Sequence, residues 1–169
     1  VVAEGYIKEA RQKIAATLKV DPKELIITSG GTESNNMALI GTALAAKRKG
    51  NHIITTAVEH PSVKATASFL EEQGFRITFL SVDSRGQISL EELKEALTPD
   101  TILVSIMYVN NEIGTIQPVE EAAKLVHSTV PGAVFHVDAI QAYGKVVIRP
   151  KQQGIDLLSV SSHKFHGPK

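Results

Sequence analysis

Short β-rich runs alternate with stretches of helical spacing along the whole chain, and this alternation limits the possible folds more than any other feature. The predicted strands are residues 25–28, 52–56, 76–82, 101–109, 133–137 and 156–161. The predicted helices are residues 6–18, 34–49, 62–72, 89–97 and 119–130. Strands that alternate with helices form a mostly parallel sheet covered by helices on both faces. The sequence therefore predicts an α/β fold of three layers, αβα, around a mostly parallel central sheet.

The composition argues against several classes of protein. The 169 residues include 18 acidic and 18 basic side chains, so no charge excess indicates a nucleic acid partner. The longest apolar runs, such as residues 101–109, are far shorter than a membrane span. The chain has no cysteine, which excludes disulfides and thiolate metal sites. We therefore expect a cytoplasmic protein with no metal site that binds neither nucleic acid nor membranes.

The chain has no repeat, no low-complexity segment and no linker, so the sequence predicts no internal domain boundary. Both ends look cut. The first residues already have helical spacing without a capping residue before them, and the last residues directly follow a polar segment. We expect residues 1–169 to be one incomplete domain of a longer protein.

Polar residues cluster where the predicted strands end, which is where parallel sheets bind ligands. The first cluster, Gly30-Gly31-Thr32, joins a strand to a helix. Glycines let the backbone approach a ligand, and a helix N-terminus offers unpaired N–H groups to a phosphate. The alternative is an ordinary glycine turn in which Thr32 or Ser34 caps the helix.

Asp138 ends a strongly apolar predicted strand, and Gln141 follows three positions later. A buried carboxylate is unfavourable unless it meets a cation or several donors, and a protonated pyridine nitrogen would be such a partner. Gln141 could reach a neighbouring ring oxygen. The alternative, that Asp138 caps the next helix, is favoured when this residue is considered alone.

Lys164 follows the last predicted strand between two histidines, with Ser161 and His163 close by in sequence. An unprotonated lysine amine is a nucleophile toward an aldehyde, and the serine and histidine could hold a phosphate beside it. The alternative is a surface lysine in a polar turn.

His60 and Asn111 complete the set of strand-end residues. His60 could stack on a planar ring or move protons, and Asn111 could donate to a ring oxygen or a substrate. A histidine before a proline is more often a helix-start residue, and Asn111 alone indicates only a loop. In their order along the chain, however, these residues form a complete set for one aldehyde cofactor.

Five stretches of the sequence resemble the NifS-type cysteine desulfurases, which belong to the class V aminotransferase-like, fold type I pyridoxal-phosphate enzymes. They are residues 28–36, 58–63, 109–114, 136–141 and 161–169. The similarity extends over essentially the whole chain. It implies that residues 1–169 are part of the large, pyridoxal 5′-phosphate-binding domain, without its N-terminal segment and the C-terminal small domain.

The resemblance implies catalytic roles for two residues. Lys164 would form the Schiff base with the cofactor and then move the α-proton of the substrate, while His60 would stack on the pyridine ring and take part in proton transfer. The remaining residues would bind the cofactor: ring nitrogen by Asp138, ring oxygen by Gln141 and Asn111, and phosphate by Thr32, Ser161, His163 and the backbone at Gly31.

The implied reaction converts L-cysteine to L-alanine and leaves the sulfur as a persulfide on an enzyme cysteine, for iron–sulfur clusters or thiolated tRNA. The implied partners are a second subunit in a homodimer and a sulfur-acceptor protein, either an iron–sulfur scaffold or a tRNA-thiolation enzyme. A selenocysteine lyase or a cysteine sulfinate desulfinase is the alternative within the same family. A non-enzymatic nucleotide-binding module would use only the glycine loop.

The resemblance also implies what this chain does not contain. The persulfide-forming cysteine and the arginine that binds the substrate carboxylate would both lie beyond Lys164. A strand that follows the lysine would run antiparallel between the first and sixth predicted strands. We therefore expect no sustained turnover by the chain itself, and a sheet with an unfilled position between those two strands unless something else pairs there.

Overall fold

The structure of the protein is a computed structural model that describes residues 2–167, with side chains from residue 4 onward. Its helices are α1 Val2–Leu18, α2 Gly31–Ala46, α3 Pro61–Glu72, α4 Leu90–Ala96, α5 Val119–Thr129 and α6 Pro150–Gln153. Its strands are β1 His52–Thr56, β2 Arg76–Leu80, β3 Thr101–Met107, β4 Val134–Asp138 and β5 Leu157–Ser159. Short 3-10 turns span Pro22–Glu24 and Ser162–Phe165.

The five strands form one parallel sheet in the order β2-β1-β3-β4-β5. Every residue of β1 and β3 is buried, which is typical of strands covered on both faces. The predicted α/β fold with a parallel central sheet is confirmed.

Side chains alternate between two cores along the central strands. Ile53 and Leu103 face one core, which α2 and α3 cover. Their neighbours Ile54 and Val104 face the second core, which includes Leu18 of α1 and the inner faces of α4 and α5. The two-residue period of a strand thus places helices on both sides of the sheet and gives the three predicted layers.

The prediction of a strand at residues 25–28 is wrong. This segment is extended after the turn Pro22–Glu24 but belongs to no strand, and Ile26 and Ile27 are 70% and 55% exposed. An extended segment becomes a strand only when a neighbouring strand pairs with it. Within residues 2–167, β5 pairs only with β4. The expected unfilled position in the sheet stays a prediction.

The other predicted elements exist with small differences at their ends. The strands end two residues earlier than predicted after Leu80, Met107 and Ser159, and α2 begins at Gly31 instead of Ser34. In the part of the chain that the structure describes, no helix is both long and apolar enough to span a bilayer.

The order of the strands determines where a ligand site lies. The chain leaves β1 toward β2 on one side, and β3 then pairs with β1 on the other side. Because of this reversal, the connections that follow β1 and β3 diverge and leave a crevice beyond the carboxyl ends of the strands.

Candidate functional site

A cavity of about 290 Å³ lies beyond the carboxyl ends of the strands. All the predicted site residues except Ser161 line it, and so do Ser62, Met107 and Ile140, which the sequence did not indicate. Ser161 is buried beside it, with its Oγ 2.9 Å from Nδ1 of His163. The fold therefore brings together residues from positions 31 to 164 of the chain.

The N-terminus of α2 forms one wall of this cavity. Its N-cap is Gly30, which provides no side-chain cap, and Thr32 and Ser34 lie inside the helix. The alternative of a capping threonine or serine is therefore wrong, and the first N–H groups keep their capacity to bind an anion. A Cβ on Gly31 would lie 2.3 Å from Cδ1 of Ile140, so a larger residue at this position would displace that side chain.

Asp138 lies at the end of β4 and is 2% exposed. Its Oδ1 accepts a hydrogen bond from the backbone N–H of Ile140 at 3.0 Å, and its Oδ2 accepts one from Nδ2 of Asn35 at 2.8 Å. Burial raises the pKa of Asp138 above its ordinary value, while these two bonds and the neighbouring His60 oppose the rise. No cationic side chain among residues 4–167 forms an ion pair with it. The carboxylate is thus suited to a cationic group in the cavity.

His60 is the N-cap of α3, with Pro61 as the first helical residue. Its Nδ1 lies 3.1 Å from the backbone nitrogen of Ser62 and 2.8 Å from the Oγ of the same serine. The helix-start interpretation is therefore right, and the same ring also lines the cavity.

Lys164 lies in the turn Ser162–Phe165 directly after β5 and is exposed. Its side chain lines the cavity, and its amine has no hydrogen bond or ion pair to any other described side chain. On the other walls, Asn111 is exposed in the loop after β3, and Gln141 accepts a hydrogen bond from Nζ of Lys145 at 3.3 Å. An unengaged amine that faces a polar cavity is available to react with an aldehyde.

Two buried polar residues behind the cavity were not predicted as site residues. Asn35 contacts Asp138, as described above. Glu59 is 3% exposed, and its Oε1 accepts hydrogen bonds from Oγ1 of Thr56 and the backbone nitrogen of Met107, each at 2.8 Å. Burial raises the pKa of Glu59 to about 8. The available signals were that Asn35 lies one helical turn beyond Gly31 and that Glu59 precedes His60.

The sequence matches the family model described as aminotransferase class-V over residues 3–169. It is 51% identical over 160 residues to "Cysteine desulfurase IscS" of Clostridium botulinum strain Kyoto, a match that covers 95% of this chain and 40% of that protein. It is 52% identical over 164 residues to "Putative cysteine desulfurase IscS 1" of Bacillus subtilis, over 97% of this chain and 43% of that protein. The chain therefore spans about two fifths of the length of these relatives.

Solved structures show the same fold. A NifS-like protein superimposes with a TM-score of 0.96 at 43% identity, over 99% of this chain and 46% of that chain. A structure of SspA in complex with cysteine superimposes with a TM-score of 0.94 at 41% identity, over 99% of this chain and 48% of that chain. The polar cavity beyond a five-stranded parallel sheet, the family match and these structural neighbours agree, and this chain belongs to the aminotransferase class-V family.

Proposed function

We propose that this chain forms part of the pyridoxal 5′-phosphate-binding large domain of a cysteine desulfurase. The whole enzyme would convert L-cysteine to L-alanine and pass the sulfur to one of its own cysteines as a persulfide. The observation that carries the proposal is the single cavity that unites a buried carboxylate, a histidine, an uncapped helix N-terminus and an unengaged lysine. The relatives named as cysteine desulfurases and the SspA structure with cysteine support the choice of substrate.

The residues that are present fit the cofactor. Asp138, buried and without a cationic partner among the described side chains, would pair with a protonated pyridine nitrogen. When bound, the cofactor supplies an electron sink for the negative charge that develops on the substrate. The first N–H groups of α2 would hold the phosphate, together with the side chains of Thr32, Ser161 and His163. Gln141 and Asn111, which also line the cavity, would bind the ring oxygen.

Two side chains would act in the reaction itself. The unengaged Nζ of Lys164 would hold the cofactor covalently, and its amine, when free, would accept the α-proton of the substrate. His60 would lie against the ring, in an orientation fixed by its bonds to Ser62.

The first experiment is a titration of the purified chain with pyridoxal 5′-phosphate, followed by visible absorbance. We expect a saturable band in the unchanged chain, no band for Lys164→Ala, and an unchanged band for Lys145→Ala, a nearby lysine that contacts Gln141. A band that persists in Lys164→Ala would overturn the assignment of the reactive lysine. If the unchanged chain does not bind the cofactor, the unchanged protein and the two variants are compared in the full-length enzyme.

The chain by itself is expected not to sustain desulfurase turnover, because it has no cysteine on which a persulfide could form. Sustained alanine production from L-cysteine by the pure chain would contradict this. In the full-length protein we expect sulfide release from L-cysteine with a reductant present, and loss of that release in Lys164→Ala. The absence of release from the intact protein would refute the desulfurase assignment.

A homodimer, a sulfur-acceptor protein and a cytoplasmic location are part of the same proposal and follow from the resemblance to cysteine desulfurases. A selenocysteine lyase or a cysteine sulfinate desulfinase would share the cofactor site. The relative rates with L-cysteine, selenocysteine and cysteine sulfinate distinguish these two enzymes from a cysteine desulfurase. A nucleotide-binding module is disfavoured, because it assigns no role to Asp138 or Lys164; measurement of nucleotide affinity tests it.

A further inference from the structure

Four side chains form a continuous line of hydrogen bonds behind the cavity, which we call the Asp138–His60 network. Nδ2 of Asn35 lies 2.8 Å from Oδ2 of Asp138 and 3.0 Å from Oγ of Ser62. The same Oγ lies 2.8 Å from Nδ1 of His60. Asn35 is fully buried, so water does not replace these bonds. The network joins α2, the end of β4 and the start of α3.

The carboxylate of Asp138, at one end of the network, determines the direction of every hydrogen bond in it. A carboxylate only accepts hydrogen bonds, so Asn35 must turn its amide nitrogen toward Asp138. The same nitrogen donates its second hydrogen to Oγ of Ser62. The hydroxyl hydrogen of Ser62 is then directed to Nδ1 of His60.

The backbone gives independent support for this direction. The N–H of Ser62 can only donate, and it lies 3.1 Å from the same Nδ1 of His60. Two donors therefore converge on this nitrogen, which cannot bear a hydrogen of its own without losing both bonds. In the neutral ring the hydrogen must be on Nε2, which has no hydrogen-bond partner among residues 4–167.

The orientation of the Asn35 amide leaves one of its atoms unpaired, and this cost shows that Asp138 selects the orientation. The Oδ1 of Asn35 is buried and accepts no hydrogen bond in the described part of the chain. Leaving a buried acceptor unpaired is normally unfavourable. A rotated amide would place its oxygen against the carboxylate, which is worse, so the charge of Asp138 selects the observed orientation.

We propose that Asn35 and Ser62 are positioning residues that hold neutral His60 as the Nε2–H tautomer. The ring then presents a hydrogen-bond donor to the cavity and has no unprotonated nitrogen there to accept a proton. His60 thus orients and stabilises a negatively charged or acceptor group, and Lys164 is left as the side chain that accepts the α-proton. The catalytic part of this inference rests on the proposed function, whereas the tautomer of His60 does not.

The test is a long-range ¹H–¹⁵N spectrum of the chain labelled with ¹⁵N-histidine, recorded without cofactor at a pH where the imidazole is neutral. His60→Gln identifies the signals of His60. We expect Nδ1 of His60 at the chemical shift of an unprotonated nitrogen and Nε2 at that of a protonated one. His52 and His136, both buried, report in the same spectrum whether each variant is folded.

Asn35→Ala removes the bonds from Asn35 to Asp138 and Ser62, and Ser62→Ala removes the hydroxyl that joins Asn35 to His60. We expect each to raise the population of the Nδ1–H tautomer of His60 about tenfold, as for the loss of one hydrogen bond. Ser62→Thr keeps the hydroxyl and should retain the original tautomer. Asn36→Ala, at the neighbouring asparagine that accepts a bond from Thr66 instead, is the matched control and should have no effect.

A protonated Nδ1 of His60 in the unchanged chain would overturn the proposal. So would folded Asn35→Ala and Ser62→Ala variants whose His60 signals equal those of the unchanged chain. Because no cofactor is used, neither result depends on whether the cysteine desulfurase assignment is right, which the pyridoxal phosphate titration tests separately.

Discussion

Two buried carboxyl groups at the site, Glu59 and Asp138, have pKa values that burial raises. Glu59 is nearly inaccessible and holds the backbone of Met107 and the hydroxyl of Thr56, next to the histidine of the cavity. Its pKa, raised by burial to about 8, means that this carboxyl is largely protonated at neutral pH. Burial also raises the pKa of Asp138. This carboxyl accepts hydrogen bonds from Asn35 and from the backbone of Ile140, and it lines the cavity.

The replacement Glu59→Gln should change how stability depends on pH. The pKa of Glu59 is about 8 in the folded state against an ordinary value of 4.5, so between these values the folded state binds the proton more tightly. Glu59 therefore makes the free energy of unfolding fall as pH rises through this range. We expect Glu59→Gln to become more stable relative to the unchanged chain as pH increases from 4.5 to about 8.

Denaturant unfolding at several pH values measures this difference. A constant difference for Glu59→Gln would mean that its carboxyl is ionised in the folded protein throughout the range.

The replacement Gly31→Ala should weaken cofactor binding more than it affects stability. The new Cβ would meet Cδ1 of Ile140, the outer end of a side chain that lines the cavity, so this side chain would have to shift at the cofactor site. We expect the affinity for pyridoxal 5′-phosphate to fall about tenfold or more, with little change in the melting temperature. Gly30→Ala, where a Cβ meets nothing within 4 Å, is the control. Equal affinity of Gly31→Ala and the unchanged chain would show that the cofactor does not occupy this wall.

At the scale of elements, α2 connects the core to the site. Its buried residues Leu39 and Ala43 pack on the sheet, while its N-terminus and Asn35 reach the cavity and Asp138. The hydrophobic contacts thus fix the position of a helix end whose polar groups face the ligand. The middle of α2 contains Gly41, where an added Cβ would meet no atom within 4 Å, so packing does not require a glycine there.

Gly41 in the middle of α2 and Gly50 after this helix should respond in opposite ways to replacement by alanine. Gly41→Ala meets nothing within 4 Å and should raise the free energy of unfolding by about 0.5–1 kcal/mol, because alanine favours helix. At Gly50 a Cβ would lie 2.2 Å from the carbonyl oxygen of Asp100, so Gly50→Ala should lower it by about 1–3 kcal/mol.

Chemical denaturation of both variants beside the unchanged chain measures these two effects. A Gly50→Ala variant of unchanged stability would show that the backbone segments at residues 50 and 100 can move apart without lowering the free energy of unfolding.

For the whole molecule, β5 is an edge strand among the described residues, where it pairs only with β4. Residues 25–28 are extended but unpaired, and Ile26 and Ile27 lie exposed. The backbone of this segment is bound at Leu25, whose carbonyl oxygen accepts a bond from Nη1 of Arg11 at 2.7 Å. An exposed apolar segment in an extended conformation, together with an edge strand, favours association between chains.

The double replacement Ile26→Lys with Ile27→Lys should therefore reduce self-association of this chain. Light scattering or sedimentation over a range of concentrations measures it, with Leu44→Lys on the exposed face of α2 as the matched control. If only the control variant reduces association, the interface lies on α2 and not at residues 25–28.

The sequence alone determined the local features of this protein. The alternation of residue types predicted α1 to α5 and β1 to β5, because periodicity depends only on neighbouring residues; it missed the short helix α6 and predicted one further strand that does not form. The polar residues at strand ends predicted the cavity walls, since the carboxyl ends of parallel strands meet at one edge. The resemblance to cysteine desulfurases then gave those residues their expected roles.

Only the tertiary structure decided the contacts between distant parts of the chain. Residues 25–28 have the composition of a strand, but a strand exists only where another pairs with it. The bond between Asn35 and Asp138 joins residues 103 positions apart, and no local pattern indicates such a contact. The raised pKa of Glu59 likewise depends on burial, which many separate elements produce together. Sequence periodicity is local, whereas strand pairing, burial and the direction of a hydrogen bond depend on the groups that the fold brings alongside.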